Sequence, residues 1–201
     1  MEELNHALFT AINATPASPA WLLQLATFIA RDLIAIVPLL IVAMWLWGPR
    51  DQVSSQRVLV LKTGMALIYA LAISWCVGHL LPHPRPFAIG YGYQFLHHAA
   101  DDSYPSDHGT TIFTFALEFI FWHRLWSGVV LMVAGYAIAW SRVYLGVHWP
   151  MDMLGALLVA LIGCLTAKIL WQAFGPALYR RLQQIYRVCF SLPISKGWVR
   201  D

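Results

Sequence analysis

From Ala20 to Trp47 the chain is apolar, apart from a few polar side chains and the two charged residues Arg31 and Asp32. At about 1.5 Å per helical residue, that stretch exceeds the roughly 20 residues a helix needs to cross a bilayer. Further apolar runs cover residues 58–81, 106–121, 125–140 and 150–174. In lipid, backbone N–H and C=O groups must be satisfied within the segment, which for apolar runs of this length means helices. The expected fold is therefore an all-α integral membrane protein with about five transmembrane helices. Composition agrees: 59% of residues are hydrophobic and 11% charged, where a soluble domain carries about 25% charge. Ten tryptophans and eight tyrosines suit rings that settle at headgroup level.

Shorter amphipathic segments flank this bundle. Over residues 3–14, Leu4, Leu8, Phe9 and Ile12 form a stripe facing either lipid or the bundle. Thr15 to Pro19 then makes a break. From about Pro176, Arg180, Arg181 and Arg187 alternate with Leu182, Ile185 and Val188, which predicts a helix lying on the membrane surface. The whole chain, 1–201, reads as a single domain with its core at about 20–175 and a basic cytoplasmic tail over 176–201. Arg31 and Asp32 read as a structural pair, bonded to each other or to polar residues of the bundle.

The basic residues set the sidedness. Arg50, Arg57 and Lys62 flank the first hairpin, Arg124 lies in the next loop on the same side, and Arg180, Arg181, Arg187, Lys196 and Arg200 follow the last span. The positive-inside rule makes this the cytoplasmic face, with the N-terminus outside. A net charge of +3 without a basic stripe argues against nucleic acid as a partner. Cys76, Cys164 and Cys189 form no paired motif and predict no disulfide framework. Glu2 and Glu3 stand where a cleavable signal peptide has basic residues, so none is expected.

Three polar clusters fall at the opposite, outer ends of the spans: His83-Pro84-Arg85-Pro86, Pro105-Ser106-Asp107-His108, and Ser141-Arg142 followed by His148 and Asp152. Arg85 and Arg142 violate the charge bias, and a bound anion explains both. Arginines offer fork-shaped donors to phosphate oxygens. Ser106 or Asp107 can cap the helix that follows, whose N-terminus favours a bound phosphate. Asp152 lies four residues after His148, close enough to orient its ring and free one nitrogen for attack. Arginines can also snorkel to lipid headgroups, and a lone His-x-x-x-Asp is a weak signal. Together the clusters point to phosphoester or phosphoanhydride chemistry at a membrane surface.

At these residues the chain resembles the type 2 phosphatidic acid phosphatase (PAP2) superfamily. Arg85-Pro86 resembles the end of its first motif, and Pro105-Ser106-Asp107-His108 its Pro-Ser-Gly-His motif. Ser141-Arg142-Val143-Tyr144-Leu145-Gly146-Val147-His148-Trp149-Pro150-Met151-Asp152 resembles its third. The resemblance covers roughly residues 60–175 and is strongest to the bacterial subgroup acting on undecaprenyl diphosphate, through small size, the Pro-Ser-Asp-His variant and the tryptophan after the histidine. It implies a PAP2-like bundle with His148 as nucleophile, Asp152 as its orienter and His108 as acid–base. Arg85, Arg142 and Ser106 bind the phosphoryl group.

The resemblance further implies no metal or other cofactor, a polyprenyl diphosphate substrate among membrane lipids, and a bacterial inner-membrane location with the site facing the periplasm. Recycling of the peptidoglycan lipid carrier and lowered sensitivity to bacitracin follow from the same likeness. Two departures stand out. The family's lysine falls at Gly78, seven residues before Arg85, with His79 and His83 as nearby candidates to replace it. Asp107 replaces a glycine and is expected to cap the helix or face a cation. His97, His98, Asp101 and Asp102 read as decoration of an exposed loop in preference to a metal site.

Alternatives remain at this level. Phosphatidylglycerol phosphate or phosphatidic acid phosphatases, and lipid phosphotransferases, use the same groups. A non-enzymatic transporter has no use for a histidine oriented by a carboxylate.

Overall fold

The structure, a computed structural model, describes residues 2–201. Its helices are α1 (Glu2–Ile12), α2 (Ala20–Arg31), α3 (Ile36–Leu46), α4 (Val53–Leu80), α5 (Asp107–Trp122), α6 (Leu125–Tyr144), α7 (Pro150–Cys189) and α8 (Ser191–Ser195). The described residues hold no β-sheet, only an isolated antiparallel bridge between Pro84 and Asp102.

The centre is formed by α4, α5, α6 and α7, with α4 against α5 and α7, and α5 also against α6 and α7. Small residues allow close approach: a Cβ on Gly163 of α7 would stand 2.6 Å from the Ala70 Cβ of α4. This is how helices pack when lipid removes the hydrophobic drive between them. Phe113, Trp149 and Met153 anchor one buried cluster, and Ile112, Phe115, Phe119, Leu131 and Ile138 anchor a second. α2 lies on α6, and α3 lies on α4.

Four helical stretches are long and apolar enough to cross a membrane: Ala20–Leu46, Val53–Leu80, Leu125–Tyr144 and Pro150–Cys189. The expected third span, α5, has 16 residues, about 24 Å of helix against roughly 30 Å of hydrocarbon. The first stretch is not continuous. α2 ends at Arg31, a 3-10 turn covers Leu33–Ala35, and α3 begins at Ile36. Pro38 accounts for this, since it has no N–H to offer Ile34 and its ring crowds that carbonyl. Arg31 and Asp32 pair at 3.8 Å at this joint, both exposed.

The basic tail departs more from expectation. α7 runs 40 residues with Pro176 inside it, so residues 176–189 continue a helix of about 60 Å and form no separate surface helix. A proline deletes one ladder bond, a local defect that helix on both sides can outlast. The C-terminus then folds back onto the end of α3. Trp47 Nε1 donates to Trp198 O at 2.8 Å, and Arg200 N donates to Leu46 O at 2.9 Å.

At the other end, α1 lies across the starts of the polar connections. Phe9 is fully buried against Trp149 and Tyr91, while Leu4 and Leu8 stay exposed. Asn5 Oδ1 accepts Met151 N at 3.1 Å, tying α1 to the first turn of α7. The end of α4, the start of α5, the end of α6 and the start of α7 share this face, which brings the three polar clusters together.

Candidate active site

The site is built around the N-terminus of α7. Trp149 is its N-cap and Pro150 its first residue, where a missing N–H is harmless. The turn before it depends on Gly146, whose φ is +79° and whose Cβ would collide with Tyr93 O. Asp152, one turn in, reaches back to accept Trp149 N–H at 2.8 Å. The same oxygen, Oδ2, lies 3.1 Å from His148 Nδ1 and accepts the Ser103 hydroxyl. His148, Asp152 and Ser103 are all buried. An ionised carboxylate is an acceptor, so Nδ1 carries the proton and Nε2 keeps its lone pair.

Three groups surround that second nitrogen. Arg85 Nη1 is 3.0 Å from Nε2, Ser106 Oγ is 3.3 Å away and Arg142 Nη2 is 3.5 Å away. Arg85 Nη1 is also 3.4 Å from Nδ1, so it sits over the ring face and not along the in-plane lone pair of Nε2. Arg85 is held by Val147 O at 2.9 Å, Asp102 O at 3.2 Å and Asp101 Oδ1 at 2.8 Å. Arg142 Nη1 donates to Ala30 O at 3.3 Å, and its buried Nε has no partner among the described residues. Ser106 is the N-cap of α5, its Oγ accepting Gly109 N at 3.3 Å. A tetrahedral anion in front of Nε2 would thus meet two guanidinium groups, a hydroxyl and a helix N-terminus.

Burial pushes the His148 imidazole down to about 3, and the charges of Arg142 and Arg85 add to this against the hydrogen bond and charge of Asp152. The ring is therefore neutral, the form in which its lone pair is available. Burial works to raise the exposed Asp101 carboxyl, but the hydrogen bond and charge of Arg85 outweigh it and the net direction is down.

All six expected site residues, Arg85, Ser106, His108, Arg142, His148 and Asp152, lie at this end. His108, in the first turn of α5, lines a cleft of about 470 Å³ with Ile34, Leu71, Trp75, Asp107 and Thr111. Asp107 is not the cap, because Ser106 does that; its Oδ1 accepts the Ser74 hydroxyl at 3.1 Å. At Gly78 a Cβ would stand 3.1 Å from Tyr104 O, a tight position for any side chain. His79 turns back on its own helix, to Trp75 O at 2.8 Å. His83 packs edge-on against Trp149. Neither contacts the His148 ring nitrogens.

Two residues escaped the sequence reading. Ser103 carries no local signal, yet it is buried with its hydroxyl on Asp152. The sequence places His98 with the loop decoration, but the ring turns inward, its centre 6.1 Å from that of His148. His97, Asp101 and Asp102 are exposed as expected. Nothing in the local sequence separates His98 from His97; the Pro84–Asp102 bridge that folds this loop over Arg85 is a long-range contact. Among the described residues, no three His, Cys, Asp or Glu side chains converge as a metal-binding set.

The family model of the PAP2 superfamily matches residues 57–177. The YbjG protein of Escherichia coli K12, whose given name makes it a provisional undecaprenyl-diphosphatase, is 64% identical over the full length of both chains. Undecaprenyl-diphosphatase BcrC of Bacillus subtilis is 32% identical over 79% of this chain and 80% of its own. Among solved structures, Aquifex aeolicus LpxE superposes with a TM-score of 0.65 at 23% identity, over 82% of this chain and 94% of its own. A phosphatidylglycerolphosphate phosphatase of Bacillus subtilis gives 0.59 at 18% identity, over 86% of each. These two speak to the fold alone. With the family's motifs gathered around one buried imidazole and its sequence model spanning the bundle that holds them, this multi-pass membrane protein belongs to the PAP2 superfamily.

Proposed function

We propose that this chain is a phosphatase that hydrolyses undecaprenyl diphosphate to undecaprenyl phosphate and inorganic phosphate. The observation that carries the reading is the surroundings of His148 Nε2: Arg85, Arg142 and Ser106 gather at this nitrogen, with Asp152 on the opposite one. The substrate comes from the relatives, YbjG over the whole chain and BcrC over most of it.

In the first step Nε2 bonds to the terminal phosphorus as the bond from phosphorus to the bridging oxygen breaks. His108 gives a proton to that oxygen, and undecaprenyl phosphate departs. In the second step water attacks the phosphohistidine, His108 takes the water's proton, and the P–N bond breaks to release phosphate. Asp152 keeps the attacking tautomer and stabilises the positive charge that grows on the ring. Arg85, Arg142 and the α5 N-terminus stabilise charge on the equatorial oxygens. No metal or cofactor takes part. The outer face of the inner membrane, the periplasmic side, supplies the diphosphate, and the reaction regenerates the carrier for cell-wall precursors. Excess enzyme lowers bacitracin sensitivity. The chain acts as a single domain.

The test is a substrate panel on purified protein in the presence of chelator, with undecaprenyl diphosphate against phosphatidylglycerol phosphate and phosphatidic acid. Fastest turnover of the diphosphate is expected, with His148→Ala reducing it by about 10⁴-fold or more at unchanged membrane insertion. Preference for a glycerophospholipid overturns the substrate. Substantial residual turnover in His148→Ala overturns the nucleophile, and loss of wild-type activity in chelator overturns the metal-free scheme.

A further inference from the structure

A diphosphate head brings two phosphates, and the groups around Nε2 account for one. Arg85, Arg142 and Ser106 converge on the position of the transferred phosphoryl group. The second phosphate, the one joined to the lipid, carries its own negative charge and becomes the leaving group. In this family a lysine stands at the position of Gly78, but here that position has no side chain and faces Tyr104 O at close range. The nearby histidines do not replace it, since His79 is bonded to its own helix and His83 packs on Trp149.

His98 is placed to do so. Its ring lies edge-on to the His148 ring at 6.1 Å between centres, and its side chain is 23% exposed, at the mouth of the site. The groups on Nε2 face the transferred phosphoryl group, so a ring at the mouth stands where the rest of the diphosphate head must lie. Its Nδ1 donates to Ala99 O at 3.1 Å, so Nε2 remains free for a ligand. Asp101 fixes the loop relative to the clamp: one oxygen, Oδ1, stands 2.8 Å from Arg85 Nε and 3.7 Å from His98 Nδ1.

We propose that His98 holds the lipid-linked phosphate of the diphosphate while His148 attacks the terminal one. The inference rests on the diphosphate reading above. Burial keeps the His98 imidazole below its ordinary range. Its bond to Ala99 opposes this, the charges of Arg85 and Arg142 add to it, and that of Asp101 opposes it. A bound diphosphate reverses the sign of that field, so the ring takes up a proton and becomes a charge-assisted donor to the second phosphate.

The experiment is direct binding of two probes, inorganic phosphate and a non-hydrolysable farnesyl methylenediphosphonate, to wild-type, His98→Gln and His98→Arg proteins in detergent. Turnover of undecaprenyl diphosphate is measured alongside. His98→Gln is expected to weaken diphosphonate binding by about tenfold or more, to raise KM for the diphosphate in step, and to leave inorganic phosphate within about twofold. His98→Arg should recover most of the diphosphonate affinity. Equal weakening of both probes, a change in neither, or no recovery with arginine overturns the role. Wild-type protein that neither binds the diphosphonate nor turns over the diphosphate overturns the substrate reading instead.

Discussion

His148 must stay unprotonated to attack, and its burial favours that neutral form. Arg85 and Arg142 near the ring add to the effect of burial, while Asp152 on Nδ1 orients the ring and works against it. A stability cost in acid follows. The folded ring is depressed to about 3 from an ordinary value of 6.5. A base with a lowered folded value is stabilising above its unfolded value and loses that contribution as pH falls, because the unfolded chain binds a proton the native chain refuses. Between pH 7.5 and 5, wild-type protein should therefore lose about 2 kcal/mol more stability than His148→Asn, read as thermal unfolding in detergent at matched pH. Equal losses would show that the ring titrates normally in the folded chain.

Residues of this kind were legible where chemistry and local geometry coincide. The four-residue gap between His148 and Asp152 is set by one helical turn, and Ser106 announces a cap before an apolar run. Ser103 and His98 had no such signal. Their roles come from a loop folded across the site by Arg85, and hydropathy carries no trace of that.

At the level of elements, apolar length located every major helix and the starts of α6 and α7, and missed the break in the first span and the full length of α7. Pro38 breaks the first span where the run of apolar residues hides it, and Pro176 fails to break α7 where Gly175 and the basic residues from Arg180 suggest an end. What organises the end of the bundle opposite the site is Arg57 of α4, fully buried. It donates to Trp45 O at 3.1 Å, Gln183 Oε1 at 3.1 Å and Arg200 O at 2.8 Å, and stacks over Tyr186 at 4.4 Å. One side chain thus joins α3, α4, α7 and the C-terminus. From sequence Arg57 reads as a topology charge; its structural role depends mainly on Gln183, Tyr186 and Arg200, more than 100 residues away in the chain. Arg57→Ala should cost about 2–3 kcal/mol through lost charge-assisted bonds and a void at the aromatic pair. KM should not move, since the site lies at the other end of α4. A thermal-unfolding series with kinetics on the same samples checks this, and a shift in KM without lost stability would contradict it.

The whole molecule sorts its charge by end. Arg85 and Arg142 face the candidate site, whereas Arg50, Arg57, Arg124, Arg180, Arg181, Arg187, Lys196 and Arg200 lie toward the far end or beyond it. If positive charge stays inside, the long distal part of α7 stands in the cytoplasm and the loop over His148 faces out. That loop and the tail can be told apart by labelling. In a background of Cys76→Ser, Cys164→Ala and Cys189→Ser, a single cysteine is placed at Ala99 or at Ser195, both exposed. A membrane-impermeant maleimide added to cells with a permeabilised outer membrane should label Ala99→Cys at once and Ser195→Cys only after the inner membrane is opened. The reverse pattern would put the site in the cytoplasm. A substrate presented at the outer face could then reach His148 only after crossing the membrane, so the same labelling pattern decides where the diphosphate has to be.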